Sequence, residues 1–266
     1  MLEDLAEDLK NETRDLAVIL EPLDSAEWQR PTPAAPWTIE DQVVHLAVFD
    51  EVAEVAIKDA EGFSKLLSQF LQNPDAPNEL VETKRDGRRF ASLLNWLLSA
   101  RSMLLQTAMT VDPKARYAWF GPPMSLASML TARLMETWAH GIDIRDSLGI
   151  PPNDSERLAH VCFLGYRTRA FSFTNRGLAP PESDVFIELT NQRGLLSYGN
   201  PNAENRITGT SLDFALVVTQ RRHPLDTSLV VEGKDALEWM QISQAFAGPP
   251  GPGRPPGQPK ATHSQN

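Results

Sequence analysis

The hydrophobic period of this 266-residue chain changes once, and that change limits the folds open to it. Up to about residue 179, apolar residues recur every three to four positions, as in helices that bury one face. Leu2, Leu5, Leu9, Leu16, Ile19 and Leu20 set this pattern at the start. Beyond "GLAPPESD" the period becomes two. Val185, Ile187 and Leu189 alternate with other residues, as in a strand with one buried face. A run of helices followed by mixed strands and helices predicts two domains, the first all-α and the second α+β. The boundary is expected at Pro180-Pro181, with residues 1–179 as a helical bundle and 180–247 as the small α+β domain.

Punctuation within each part refines the expectation. "PTPAAPWT" reads as a rigid loop before a helix running from Ile39 past Val55, where Thr38 and Asp41 have the spacing of a capping box. A polar stretch near residues 72–80 breaks the pattern. Leu93, Leu94, Leu97, Leu98, Met103 and Leu104 are the expected core of the next long helix, and "DPKARYAWFGPP" is a loop. Ser125 to Ser147 reads as a helix stopped by Gly149 and Pro151-Pro152. Residues 155–174 look helical again. In the second part "GLLSYG" and "NRITGT" suit two short strands, Ser211 to Gln220 a helix, "TSLVVEG" a strand and Asp235 to Phe246 a closing helix. Residues 248–266, "GPPGPGRPPGQPKATHSQN", hold almost no apolar side chain and are expected to be a disordered tail.

Charge and cysteine usage narrow the function. The formal net charge is -10, and no basic cluster of the size nucleic-acid binding needs is visible, so no nucleic-acid partner is expected. No apolar run reaches the ~20 residues that span a bilayer, so no membrane partner is expected either. "MLEDLAEDLK" is acidic and lacks the basic start of a secretion signal. The single cysteine, Cys162, excludes an internal disulfide, and its setting "CFLGY" reads as core. A cytoplasmic protein, a monomer or a homodimer, is expected.

One stretch is chemically unusual. "LMETWAHGIDIRDSLG" places Glu136 and His140 at i and i+4, on one face of a helix otherwise rich in apolar residues. That geometry can hold a metal ion, but the same spacing also serves exposed pairs without one. Of the other histidines, His45 is the best third ligand, because residues 42, 45, 46, 49 and 53 form a mostly apolar stripe. His160, His223 and His263 have poorer settings. Trp37 and Trp138 read as packing residues.

"PTPAAPWTIEDQVVHLA" resembles the entry to the second helix of the DinB/YfiT-like metal-binding four-helix bundles. "METWAHGIDIRDSLG" is similar to the E-x-x-x-H-x-x-D motif of the mycothiol-dependent maleylpyruvate isomerase group. "ITGTSLDFALVVTQRRHPLDTSLVVEGKDALEWMQISQAFAG" resembles the sterol-carrier-like α+β domain appended to such bundles, and an actinobacterial subgroup labelled metal-binding or wyosine-base-formation-domain proteins is similar as well. The resemblance implies a DinB-like four-helix bundle plus an extra helix, followed by a sterol-carrier-like domain. It also implies His45, Glu136 and His140 as ligands of a divalent metal, zinc first, with mycothiol or a related thiol as cosubstrate.

Two imidazoles and a carboxylate leave positions open on the ion for water, a thiol or a substrate oxygen. The expected function is a metal-dependent isomerase or thiol transferase acting on a small molecule. Two alternatives stand beside it. One is a non-catalytic metal-containing protein that binds a small apolar ligand. The other is a Lewis-acid hydrolase or cyclase of secondary metabolism. Asp143, one turn after His140, is a candidate to orient an imidazole. Arg222 and Arg221, with Arg206 as a poorer choice, are candidates to clamp a substrate carboxylate.

Overall fold

The computed structural model describes residues 2–73 and 75–258, the side chain of Ala91 aside. The chain divides into two compact units, Met1–Ile150 and Pro151–Asn266. Among the described residues, no helix is long and apolar enough to cross a membrane.

In the first unit, helices α1 (Leu2–Leu20), α3 (Ile39–Lys58), α6 (Phe90–Ala108) and α7 (Leu126–Leu148) form the bundle. Helix α3 packs on α6 and α7, and α1 packs on α7 and α6, which closes a ring of four. Shorter helices α2 (Ser25–Trp28), α4 (Ala60–Gln72) and α5 (Ala76–Arg85) fill the connections. The expected capping box starts α3, with the Asp41 N–H donating to Thr38 Oγ1 and the Thr38 N–H to Asp41 Oδ2. Gly149, at φ 70°, ends α7 in the left-handed conformation that glycine adopts without strain. The inward stripe of α6 is Leu93, Leu97, Ala100, Leu104 and Ala108. Leu98 and Met103 were expected in the core but lie exposed, because their positions point away from that stripe.

The first unit is not purely α-helical. Arg116–Tyr117 (β1) pairs antiparallel with Met124–Ser125 (β2), so the α6–α7 connection is a short ladder rather than a plain loop. Two residues per strand are too few for the alternation of a strand to show in the sequence.

Four helices meet on a buried ionic network. Asp50 of α3, fully buried, accepts from Arg101 Nε of α6 at 2.7 Å and from Arg133 Nε of α7 at 2.9 Å. Arg101 also donates to Thr13 Oγ1 of α1 and to Thr137 Oγ1 of α7, while Arg133 donates to the Leu46 carbonyl. Buried Glu12 of α1 adds a second negative charge near Arg101. Buried guanidinium groups are tolerated because carboxylates and hydroxyls satisfy their donors.

The second unit has a four-stranded sheet in the order β4-β3-β5-β6, from β3 (Val185–Asn191), β4 (Gly194–Gly199), β5 (Asn205–Thr210) and β6 (Val230–Glu232). Strands β3 and β5 are parallel, with Ile187 opposite Ile207, and the outer pairs are antiparallel. Helix α10 (Ser211–Val218) packs on β3 and β5, and α11 (Lys234–Ile242) on β5 and β6. Ile187, Leu189, Ile207, Phe214, Leu216 and Trp239 form the core.

The boundary at Ile150 lies about thirty residues before the expected one. Helices α8 (Leu158–Arg167) and α9 (Arg169–Thr174) belong to the sheet-containing unit. Helix α8 packs on α10 and β4, and α9 packs on α11. The Tyr198 hydroxyl donates to the Ala159 carbonyl and Gln192 Nε2 to the Asp154 carbonyl. The change of period marks where strands begin, not where the unit begins.

Residues 248–258 also depart from expectation. The N–H groups of Gly257 and Gln258 donate to the Asp226 carboxylate at 2.9 and 3.1 Å. Arg176 donates to the Gly251 carbonyl, Asn175 to that of Gly248, and Arg254 is buried. Backbone polar groups, which composition does not reveal, hold this segment in place of apolar side chains. Residues 259–266 of the expected tail lie outside the described residues.

Candidate metal centre

Helix α3 and helix α7 bring His45, Glu136 and His140 together. Their ligand atoms all lie within 4.8 Å of one another. Glu136 Oε2 is 3.1 Å from His140 Nε2 and 3.5 Å from His45 Nε2. Bonds of about 2.0–2.1 Å to one tetrahedral ion would place two ligand atoms about 3.3 Å apart, so the spacing suits a shared centre. The side chains of His45 and Glu136 keep 18% and 21% of their exposure, enough to leave one side of the cluster open.

The proton positions follow from a buried relay. The Trp37 carbonyl can only accept, so the Thr32 hydroxyl donates to it, at 2.8 Å. Thr32 Oγ1 then accepts from Gln42 Nε2 at 2.9 Å, which turns Gln42 Oε1 toward His140 Nδ1. Gln42 is fully buried and Thr32 nearly so. An amide oxygen cannot donate, so His140 Nδ1 carries a proton. In a neutral ring, Nε2 therefore presents its lone pair to the Glu136 carboxylate. Attraction there needs a cation, either a second proton on the ring or a metal ion.

The electrostatics set the charge of the other two side chains. Burial pushes His45 down to about 4, helped by His140 and Arg133 and opposed by Glu136. Burial works against the charge of Glu136, but the imidazoles of His140 and His45, whenever they carry a proton toward it, outweigh this and hold its carboxyl well below the usual range. Near neutral pH the cluster offers a neutral imidazole at His45 and an ionised carboxylate, the forms that bind metal.

Aromatic rings border the cluster. The Trp37 ring stacks on His140 at 5.7 Å between centroids and lies 5.0 Å from His45. Phe49, one turn after His45, is 4.6 Å from that imidazole. Trp138 packs in the core as expected, whereas Trp37, also read as packing, meets both site histidines.

The remaining candidates are placed differently. Asp143 is buried one turn beyond His140, but the acceptor at His140 Nδ1 is Gln42. Sequence reasoning passed over Gln42, although it lies on the same stripe as His45, three residues earlier. Arg221, Arg222 and Arg206 belong to the second unit. Arg221 donates to the Thr219 carbonyl, buried Arg222 to that of Arg221, and Arg206 to that of Pro201. His160 is half-buried in α8 of that unit, and Cys162 is fully buried, with burial pushing its thiol far up.

Residues 9–145 match the family model of the mycothiol maleylpyruvate isomerase N-terminal domain, a span that includes all three clustered side chains. Two relatives are the uncharacterized proteins MT0041 and Rv0036c of Mycobacterium tuberculosis, strains CDC 1551 / Oshkosh and ATCC 25618 / H37Rv. Each is 42% identical over 253 residues, covering 93% of this chain and 96% of the relative. The fold is similar to the crystal structure of the mycothiol-dependent maleylpyruvate isomerase, with a TM-score of 0.56 at 14% identity, over 83% of this chain and 90% of that one. A mutant of that isomerase matches with a TM-score of 0.55 at the same identity and coverage.

Proposed function

The chain belongs to the mycothiol maleylpyruvate isomerase N-terminal domain family, and on that footing we propose that it is a metal-dependent enzyme that acts on a small molecule with the help of a low-molecular-weight thiol. The observation that carries the reading is the relay through Thr32 and Gln42, which points an imidazole lone pair at an ionised carboxylate. His45 Nε2, Glu136 Oε2 and His140 Nε2 would hold one divalent ion, zinc first. Bound there, zinc would lower the pKa of a thiol and present it as a thiolate for isomerisation or transfer. Mycothiol is the thiol in this reading, because the matched family and the similar isomerase are named for it.

The protein's own groups then have distinct tasks. Gln42 fixes the tautomer and plane of His140. Glu136 supplies the negative charge that draws the ion in. Trp37 and Phe49 keep water from two sides of the cluster. The thiol has to come from outside, since Cys162 is buried in the second unit. The sterol-carrier-like character of that unit belongs to the same proposal, supported by its mixed sheet with α10 and α11 packed on it. A binding protein with a structural zinc is the weaker reading, because structural zinc is usually closed by four protein ligands.

Metal analysis and thiol titration test the proposal together. The expected result is one zinc per chain, and, in the cobalt-substituted protein, a thiolate-to-cobalt absorption band when mycothiol is added. Absence of a bound ion from the wild-type protein after zinc loading would reject the metal site. A bound ion with no thiolate band would reject the thiol chemistry and favour the binding protein.

A further inference from the structure

Rings continue outward from the cluster through the first unit. Phe49 lies 6.1 Å from Phe120, and Phe120 stacks on Phe70 at 5.1 Å with planes 7° apart. Trp119 meets Phe120 edge-on at 4.9 Å, and Phe63, fully buried, anchors both. These rings come from separate segments. Phe49 is on α3, Phe63 and Phe70 are on α4, and Trp119-Phe120 sit in the connection that β1 and β2 pinch together.

Two features separate this array from ordinary core. Phe49, Phe70, Trp119 and Phe120 all keep partial exposure, so the array presents a face instead of filling an interior. A cavity of about 410 Å³ also opens beside Phe70, between α4 and α5, with Leu66 and Leu80 in its wall among the polar side chains of Gln69, Glu79 and Thr83. The charge pattern points the same way. Arg133 is the guanidinium that acts on His45, yet its donors are turned to Asp50 and the Leu46 carbonyl. It has no geometry to clamp a substrate carboxylate at this face.

We propose that the ligand taken up beside the metal cluster carries a flat apolar group, aromatic or conjugated, which lies on Phe49 and Phe120 with Trp37 at its head end. This rests on the metal reading above and adds the substrate class. Phe49 and Phe120 are its specificity-determining residues.

The test uses the full chain loaded with cobalt(II) and two probes with one chelating head, benzohydroxamate and acetohydroxamate. Affinity is read from the visible d–d spectrum, which does not depend on turnover. The ring should make benzohydroxamate bind about tenfold tighter. Phe49→Ala and Phe120→Ala should each shrink that preference several-fold while cobalt content stays at wild-type level. Phe120→Leu, which keeps apolar bulk without a ring, provides the same comparison if an alanine variant does not fold. Equal affinity of the two probes, or a preference untouched in the variants, overturns the inference while leaving the metal site standing. Failure to bind cobalt at all overturns the metal reading and this inference with it.

Discussion

Gln42 shows how much a single buried amide can decide. Both of its ends are used, one by Thr32 and one by His140, so it cannot flip without breaking two hydrogen bonds in a dry environment. Partners of this kind fix the orientation and basicity of metal-binding histidines. Gln42→Leu is therefore expected to weaken zinc binding by about 10–100-fold, measured by competition with a chromophoric chelator. Unchanged affinity would mean that packing of α7 alone orients His140. His45→Ala should abolish binding and leave a helical circular dichroism spectrum, because the leucine-rich faces of the bundle do not depend on it. His160→Ala, in the other unit, should retain the ion. That His45, Glu136 and His140 would lie together was legible in the sequence through spacing and resemblance. Gln42 was not, because its role depends on which side chain of α7 faces it across the bundle.

Among the elements, α3 is the hub, since it carries Gln42, His45, Phe49 and Asp50 between residues 42 and 50. Asp50 neutralises two guanidinium groups that come from α6 and α7. Removing its charge leaves both cations buried with a poorer partner, which costs about 3–5 kcal/mol in comparable cases. Asp50→Asn is expected to lower the urea midpoint by a corresponding amount with an unchanged m-value. A midpoint equal to wild type would show that Glu12 and water compensate the arginines. The segment 248–258 offers a prediction with a pH sign. Hydrogen bonds from the Gly257 and Gln258 backbone hold the Asp226 carboxyl below its ordinary value. A depressed carboxyl pKa stabilises the folded arrangement above the ordinary range and loses that stabilisation as pH falls through the folded value. Protection of the Gly257 and Gln258 amides from hydrogen exchange should thus fall in acid, and Asp226→Asn should lower it already at neutral pH. Equal protection in the variant would assign the hold to Arg176 and Asn175.

At the scale of the whole molecule, the division at Ile150 has a functional consequence. His45, Glu136 and His140, with their relay and ring wall, all lie in Met1–Ile150. A chain ending at Ile150 should therefore fold as a helical protein and bind one zinc, as metal analysis after gel filtration would show. Loss of metal from a folded fragment would mean that the second unit supplies part of the site. Arg222 is buried in that second unit and donates to the Arg221 carbonyl, which ties it to the turn after α10. Arg222→Ala is accordingly expected to lower Tm while leaving zinc content unchanged.

The hydrophobic period alone determined that helices come first and strands later, because burial of one face imposes 3.6 or 2 on any chain that folds that way. Local chemistry likewise determined the capping box at Thr38 and the stop at Gly149, since both are settled within a few residues. Tertiary structure decided the rest. Helices α8 and α9 have the same period whichever unit they join, and only their contacts with β4, α10 and α11 assign them to the second. The segment 248–258 is held by backbone bonds to distant side chains, which composition does not record. The buried charges of Asp50, Arg101 and Arg133 read in sequence as ordinary polar positions, and only the closing of four helices turns them into one network. The cluster of His45, Glu136 and His140 stands between the two cases. Spacing placed Glu136 and His140 on one helical face, but the approach of α3, which joins His45 and Gln42 to them, is a property of the packed bundle.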